Sequence, residues 1–205
     1  NQGAEMKQEF PSTPLEAFLT SGRRVFDPIV TMEAEGDCMA PLIVYDMDPV
    51  TGRREKARKP EQLDERGQRS LENMLLVWEL PDPDEDYAVG ADVAEGLEHG
   101  DRSSFDVVAK SDGRQVAHWF GHLDPGLFAQ LLAHVGKWYG TAEHGPAFIG
   151  PERNNHGHAV LLALRDHYPV RRIYAQEYID RDRDDETPRL GWLTTRQSKP
   201  IVVDG

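Results

Sequence analysis

Apolar runs of strand length follow one another at short intervals from residue 86 onward. Tyr87 to Asp92 is a continuous apolar run that predicts a central strand buried on both faces. Residues 104–110 and 114–120 predict two more strands, joined by the tight turn Ser111-Asp-Gly. Because a tight turn reverses the direction of the chain, these strands are expected to pair antiparallel.

The segment after the third strand changes to helical periodicity. Asp124 and Pro125 form a helix start, apolar residues continue at helical spacing, and Gly140 ends the run. A short buried strand at 146–150, a helix at 156–168 and a strand at 171–175 follow. An acidic loop is expected next, and a last helix is expected to begin near Ser198.

This element order predicts an α/β fold with a mixed β-sheet flanked by helices. Three antiparallel strands, a helix, a strand, a helix and a strand resemble the order of ribonuclease H-like nucleases. We predict that domain over residues 86–205, truncated at its C-terminus.

The sequence before residue 86 predicts two further segments. Residues 1–35 form a lead-in with a helix start at Thr13. Residues 36–85 form a linker and β-hairpin extension, in which 41–45 turns at Asp48-Pro-Val-Thr-Gly into a basic return strand over 53–59. A strand at 73–80 precedes the boundary at Pro81-Asp-Pro.

Net charge, cysteine count and the length of the apolar runs exclude several classes of protein. The net charge of −13 argues against an obvious nucleic-acid binder, although a local basic face is enough for phosphate contact. The single cysteine, Cys38, excludes an internal disulfide and a cysteine-rich zinc site. No apolar run reaches the roughly 18 residues that a membrane helix needs, and no signal peptide is evident, so we expect an intracellular protein.

Two acidic residues stand at predicted strand ends and are the candidate catalytic residues. Asp92 ends the first strand of the regular region, and Glu152 follows the strand at 146–150. Two carboxylates gathered by one sheet repel each other unless a cation lies between them. Mg²⁺ and Mn²⁺ prefer carboxylate oxygens and suit phosphodiester hydrolysis. The alternative is that Asp92 caps a turn and Glu152 caps the second helix.

Other polar residues receive secondary roles. Asp101 is a candidate accessory metal ligand, whereas Asp106, inside a strand, is expected to be structural. Asn154 and Asn155 are expected to be helix caps. Candidate phosphate contacts are His156, Arg196 and Lys199. The chain has no phosphate-binding loop of the NTPase type and no His-Glu-x-x-His zinc motif.

Four fragments in this order resemble the C-terminal nuclease domain of the bacteriophage large terminase subunit. They are 8–22, similar to the end of the ATPase region; 89–96 with Gly100-Asp101, similar to the first nuclease motif; 150–157, similar to the second; and 191–200, similar to the run before the last helices.

The resemblance implies a metal-dependent endonuclease that cuts concatemeric double-stranded DNA during viral genome packaging. Asp92 and Glu152 would be catalytic metal ligands for two Mg²⁺ or Mn²⁺ ions, with Asp101 assisting. The implied partners are double-stranded DNA, the terminase ATPase region, the small terminase subunit and the portal protein. The implied location is the cytoplasm of the bacterial host, with no membrane involvement.

This chain also differs from the family pattern in one respect. The third catalytic acid of the family lies in an Asp-Asp motif that the chain, ending at residue 205, does not reach. We therefore expect weak metal binding and little cleavage from this piece. Two alternatives stay open: another ribonuclease H-like nuclease of the resolvase or transposase type, and a catalytically silent domain that docks on DNA or a portal.

Overall fold

The computed structural model describes residues 28–57, 71–97, 99–154, 156–180 and 185–195. The chain divides into two compact units, residues 1–40 with 202–205, and residues 41–201. The described part of the first unit contains one helix, α1 (Pro28–Gly36). None of the helices in the described ranges is long and apolar enough to span a membrane.

The second unit contains a mixed sheet, two helices and a small hairpin. Its elements are β1 (Ile43–Met47), β2 (Arg54–Lys56), β3 (Met74–Val77), β4 (Tyr87–Asp92), β5 (Ser103–Ala109), β6 (Gln115–Gly121), α2 (Pro125–Trp138), β7 (Phe148–Pro151), α3 (Gly157–His167), the short 3-10 helix Val170–Arg172, β8 (Ala175–Asp180) and β9 (Asp185–Leu190).

Seven strands form one sheet in the order β2-β1-β3-β6-β5-β4-β7. All neighbours are antiparallel except β4 and β7, which run parallel. The predicted α/β mixed sheet with flanking helices is therefore confirmed. Parallel pairing brings the carboxyl ends of β4 and β7 to the same edge of the sheet, and this edge carries both candidate acids.

The core lies between the sheet and the two helices α2 and α3. Phe105 and Trp119 of the sheet stack on each other, and both contact Phe128 of α2. Leu164 of α3 is fully buried in the same cluster. The predicted cap of α2 is present, since the Asp124 side chain accepts hydrogen bonds from the first turn.

The expectation that β4 is buried on both faces is wrong. Tyr87, Val89 and Ala91 are buried, whereas Gly90 and Asp92 are exposed. The strand looked apolar throughout because its outward positions carry small residues, which report little about burial. The open face leaves the Asp92 side chain accessible to solvent.

The segment before residue 86 joins the same sheet. The predicted hairpin is present as β1 and β2, with Tyr45 paired to Lys56, and β3 then connects β1 to β6. The predicted boundary near residue 86 thus falls between two strands of one sheet. The assignment of residues 1–35, 36–85 and 86–205 to separate segments stays a prediction.

Two element predictions after α3 are wrong. The predicted strand at 171–175 begins as a 3-10 helix, and only Ile173 pairs with the sheet, as an isolated parallel bridge to Ile149. The predicted acidic loop contains a hairpin, β8 with β9, from the pair Ala175–Leu190 to the pair Asp180–Asp185. The helix starts at Thr13 and Ser198 lie outside the described residues.

Candidate functional site

The parallel pairing of β4 and β7 places Asp92 and Glu152 side by side. Ala91 is in register with Pro151, and the Glu152 N–H donates a 2.7 Å hydrogen bond to the Ala91 carbonyl oxygen. Glu152 is itself the donor residue of this bond, and Asp92 directly follows the acceptor residue, Ala91. The Glu152 side chain is close enough to Asp92 for its hydrogen bond and negative charge to raise the pKa of the Asp92 carboxyl group. The main chain alone therefore brings the two acids together.

The environment of the pair disfavours two negative charges. Although Asp92 is exposed, partial burial raises the pKa of its carboxyl group, and the hydrogen bond and negative charge of Glu152 raise that pKa further. A hydrogen bond from the Val93 N–H acts in the opposite direction, with a smaller effect on the pKa. A positive charge bound between the carboxyl groups would remove the repulsion.

Asn154 connects the chain segments on either side of the pair. Its side-chain N–H donates to the Val93 carbonyl oxygen at 2.7 Å, and its side-chain oxygen accepts from the Gly157 N–H at 2.8 Å. Glu152 lies before the helix and is not its N-cap residue, which is His156. Asn154 is therefore not the N-cap residue as predicted, but its side chain satisfies the N–H of Gly157, the first residue of α3. Asn155 lies outside the described residues.

The start of α3 packs directly against the main chain of Glu152. A side chain at Gly157 would collide with the carbonyl oxygen of Glu152. Trp192 holds the other side of this segment, because its N–H donates to the Pro151 carbonyl at 2.9 Å and its carbonyl accepts from the Arg153 N–H at 2.6 Å. The position of Glu152 is thus fixed from three directions: β4, α3 and the segment that carries Trp192.

A cleft of about 560 Å³ opens beside Asp92. Asp101, Asn154 and His156 line it together with Asp92. The structure therefore brings three predicted site residues, Asp92, Asp101 and His156, to one cleft. Glu152 is not among the residues that line this cleft; it follows β7 directly, and its N–H donates to the Ala91 carbonyl next to Asp92.

A polar network supports the loop that carries Asp101. Glu72 pairs with Arg102 at 3.1 Å and with Nδ1 of His122 at 2.5 Å, and Nε2 of His122 lies 3.1 Å from the Gly100 carbonyl oxygen. Both ring nitrogens of His122 face acceptors, so the ring bridges the Glu72 carboxylate and the Gly100 carbonyl. The hydrogen bond from Arg102, followed by that from His122, lowers the pKa of Glu72.

The comparisons with known proteins give distant likenesses to solved structures and none to sequence families or curated proteins. No family model matches the sequence, and the search of curated proteins found no match. Among solved structures, the large terminase nuclease from the thermophilic phage G20c aligns with a TM-score of 0.35 and 14% sequence identity. The alignment covers 57% of this chain and 78% of that chain. A likeness this distant does not assign a function to the chain.

The remaining predicted residues have different outcomes. Asp106 accepts from Nδ1 of His118 at 2.7 Å and from the side chain of Gln115, in agreement with a structural role. Arg196 and Lys199, the predicted DNA contacts, lie outside the described residues. Their role, that of His156, and the ligand roles of Asp92, Glu152 and Asp101 stay predictions.

The donors at the site suit a hard divalent cation. Asp92 and Glu152 offer carboxylate oxygens, which Mg²⁺ and Mn²⁺ prefer, and the open cleft leaves room for water to complete the coordination. Within the described ranges, no three acidic, histidine or cysteine side chains converge into a metal-holding group. Of the residues that line or adjoin the cleft, Asp92 and Glu152 carry two carboxyl groups that a cation could use, with Asp101 in the same cleft.

Sequence reasoning missed Glu72 and His122. They are far apart in the sequence, and the polar stretch that ends at Glu72 shows no motif. Only the pairing of β3 with β6 brings the two segments together. No signal in a single sequence would have indicated this contact.

Proposed function

We propose that this chain is a metal-dependent endonuclease domain in which Asp92 and Glu152 hold a Mg²⁺ or Mn²⁺ ion at the end of the parallel strand pair. The observation that carries the proposal is the parallel pairing of Ala91 with Pro151 and the hydrogen bond from the Glu152 N–H to the Ala91 carbonyl, which make Asp92 and Glu152 neighbours at the ends of β4 and β7. Divalent ions at such carboxylates activate water and stabilise the leaving oxygen in phosphodiester hydrolysis.

The residues of the chain have separate tasks in this proposal. Asp92 and Glu152 bind the ion and fix its position relative to the sheet. Asn154 and Gly157 hold the two ligands in register through their contacts with Val93 and Glu152. Asp101 and His156 face the same cleft, where Asp101 orients water and His156 contacts a phosphate oxygen.

At a finer level we propose that the domain belongs to a phage DNA-packaging terminase. The sequence resemblance described above supports this proposal. The substrate would be concatemeric double-stranded DNA, cut with two ions in the complete site. The partners would be the terminase ATPase region, the small terminase subunit and the portal protein, in the cytoplasm of the bacterial host.

Because the resemblance implies little cleavage from residues 1–205 alone, the test uses the chain at its natural length. It combines cleavage of supercoiled plasmid in Mn²⁺ with Mn²⁺ binding measured by electron paramagnetic resonance. We expect Asp92→Asn and Glu152→Gln each to remove cleavage and to weaken Mn²⁺ binding at least tenfold, since each removes a charged ligand. Asp106→Asn is the matched control, because Asp106 lies on the neighbouring strand and pairs with His118.

Two results would count against the proposal. Retention of both cleavage and Mn²⁺ binding in Asp92→Asn would remove the carboxyl pair from the reaction. Binding of double-stranded DNA without any cleavage, unchanged by Asp92→Asn, would favour the alternative of a catalytically silent docking domain.

A further inference from the structure

A second cleft lies between α3 and the end of β9. Its volume is about 490 Å³, and none of its lining residues lines the cleft beside Asp92. Three arginines, Arg153, Arg165 and Arg189, contribute to the lining together with His158. Four leucines complete it, so we call it the arginine cleft. The concentration of cationic side chains contrasts with the net charge of −13 of the whole chain.

Arg153 is unusual among the residues of the arginine cleft because it is charged and yet largely buried. It is only 8% exposed, and its guanidinium makes no hydrogen bond or ion pair with any residue that the structure describes. No side-chain nitrogen in the described ranges is both fully buried and without a partner, so the guanidinium reaches the surface inside the cleft. A largely desolvated cation without an anion is unfavourable. An anionic group entering the cleft would relieve that cost.

The helix α3 presents a mixed face to the arginine cleft. His158, Leu161, Leu162 and Arg165 recur at helical spacing and all line it. Leu162 is 64% exposed, and Arg165 forms no ion pair with the described residues. A second hollow next to it, lined by Leu162 and Val170 among others, extends the apolar surface along the helix. The surface thus offers apolar contact area beside fixed positive charge.

We propose that the arginine cleft binds an acidic segment of a partner protein that also carries an apolar side chain. A carboxylate of the segment pairs with Arg153, and its apolar side chain packs on Leu162. Charge complementarity with an acidic ligand satisfies the buried guanidinium, and the leucines bury apolar area. This inference is independent of the proposed nuclease activity.

A nucleic acid fits this surface less well than an acidic peptide. Sites for single-stranded nucleic acid combine basic grooves with aromatic side chains on which the bases stack. The lining residues of the arginine cleft include no Phe, Tyr or Trp, and His158 is the single ring among them on which a base could stack. Leucines contribute nothing to phosphate contact, whereas they are ordinary anchors in protein interfaces.

The test is fluorescence anisotropy with a labelled 12-residue peptide of alternating acidic residues and leucines. A peptide with lysine in place of each acidic residue and the oligonucleotide dT12 are the comparison ligands. We expect the acidic peptide to bind at least tenfold more tightly than either. Arg165→Glu should weaken binding about tenfold or more, because it replaces attraction with repulsion. The control is Arg171→Glu, an exposed arginine outside the cleft, which should leave binding unchanged.

Arg153→Met separates a binding role from a structural one. Replacing an uncompensated buried charge with an apolar side chain should leave the melting temperature unchanged or higher. The same variant should lose peptide binding at least tenfold. A lower melting temperature with unchanged peptide binding would instead show that Arg153 serves folding.

Other outcomes would also overturn the proposal. These are equal affinity for the acidic and basic peptides, no binding of the acidic peptide at 1 mM, and equal losses in Arg165→Glu and Arg171→Glu. Preferential binding of dT12 with the same sensitivity to Arg165→Glu would assign the cleft to phosphate groups of nucleic acid and not to a protein.

Discussion

The N–H of Glu152 donates to the carbonyl oxygen of Ala91 at 2.7 Å, one residue before Asp92. This bond belongs to the backbone pairing of two parallel strands and requires no particular side chain. The sheet itself therefore makes Asp92 and Glu152 neighbours. Folding alone brings the two acidic residues together, before any ligand binds. This is the arrangement expected of a preformed cation site.

The first prediction concerns the pH dependence of stability in Asp92→Asn. Folding raises the pKa of Asp92, so the folded state binds the proton more tightly than the unfolded state. The associated stability is present below the ordinary pKa of about 3.9 and is lost as the pH rises through the raised pKa. When metal is absent, Asp92→Asn should consequently be more stable than the wild type at neutral pH. The difference in stability should disappear in acid.

Urea unfolding at several pH values checks this prediction. Adding Mn²⁺ should stabilise the wild type and leave Asp92→Asn nearly unchanged, because the variant lacks one of the two charges. A variant that is less stable than the wild type at neutral pH would show that the Asp92 charge is satisfied within the protein.

The second prediction concerns Asn154→Ala. The substitution removes the bonds to Val93 and Gly157, which tie the two ligand-bearing segments together. We expect a loss of about 1–3 kcal/mol in the free energy of unfolding, since a part-buried carbonyl and a helix N–H lose their partners. Mn²⁺ affinity should fall as well.

The control for Asn154→Ala is Glu143→Ala, at an exposed position away from the cleft. Denaturant unfolding gives the stability, and electron paramagnetic resonance gives the free Mn²⁺ concentration. Unchanged Mn²⁺ affinity in a destabilised Asn154→Ala protein would limit Asn154 to a structural role.

The positions of the two acids could be predicted because local signals bound the strands that carry them. The apolar run ending at Asp92 and the run before Gly150-Pro-Glu152 are each closed by turn residues. The order of elements then implies one sheet. That the two strands are neighbours follows from the observed parallel register and not from periodicity.

The contacts that stabilise the site could not be predicted in the same way. The interactions of Glu72 with Arg102 and His122 join distant segments through surface polar groups, which carry no periodic pattern. The β8–β9 hairpin was missed for a different reason. Its strands contain Pro188 and several acidic residues, which are poor strand formers, so the pairing of Ala175 with Leu190 overrides local propensity.

The third prediction concerns Glu72→Gln. The pKa of Glu72 is lowered, so its stabilising contribution is present above the ordinary carboxyl pKa and is lost as the pH falls through the lowered value. The variant should be less stable than the wild type at neutral pH and equally stable in strong acid. The effect should be modest, because the Arg102 side chain is about half exposed (49%) and water screens its ion pair with Glu72.

Hydrogen exchange of the loop that carries Gly100 checks the effect near the site. We expect faster exchange in Glu72→Gln, since His122 bridges Glu72 and the Gly100 carbonyl. Glu95→Gln, an exposed position on the rim of the cleft beside Asp92, is the control for a change of charge alone. Equal exchange in all three proteins would mean that the network does not restrain the loop.

The fourth prediction concerns Gly157→Ala. The new methyl group would meet the carbonyl oxygen of Glu152, a backbone atom that cannot rotate away, so either the start of α3 or the Glu152 segment has to shift. Such overpacking typically costs about 1–3 kcal/mol of unfolding free energy. A shift of the Glu152 segment would also separate the two carboxyl groups and lower the affinity for Mn²⁺.

Gly90→Ala is the matched control for Gly157→Ala, because Gly90 lies two residues before Asp92 and a side chain there would meet no atom within 4 Å. The φ angle of Gly90 is not in the left-handed region, so alanine is compatible with the backbone and should leave stability unchanged or raise it by up to about 1 kcal/mol. Mn²⁺ affinity should be unchanged in Gly90→Ala and reduced in Gly157→Ala. Wild-type affinity in Gly157→Ala would mean that the close approach of α3 does not set the position of Glu152.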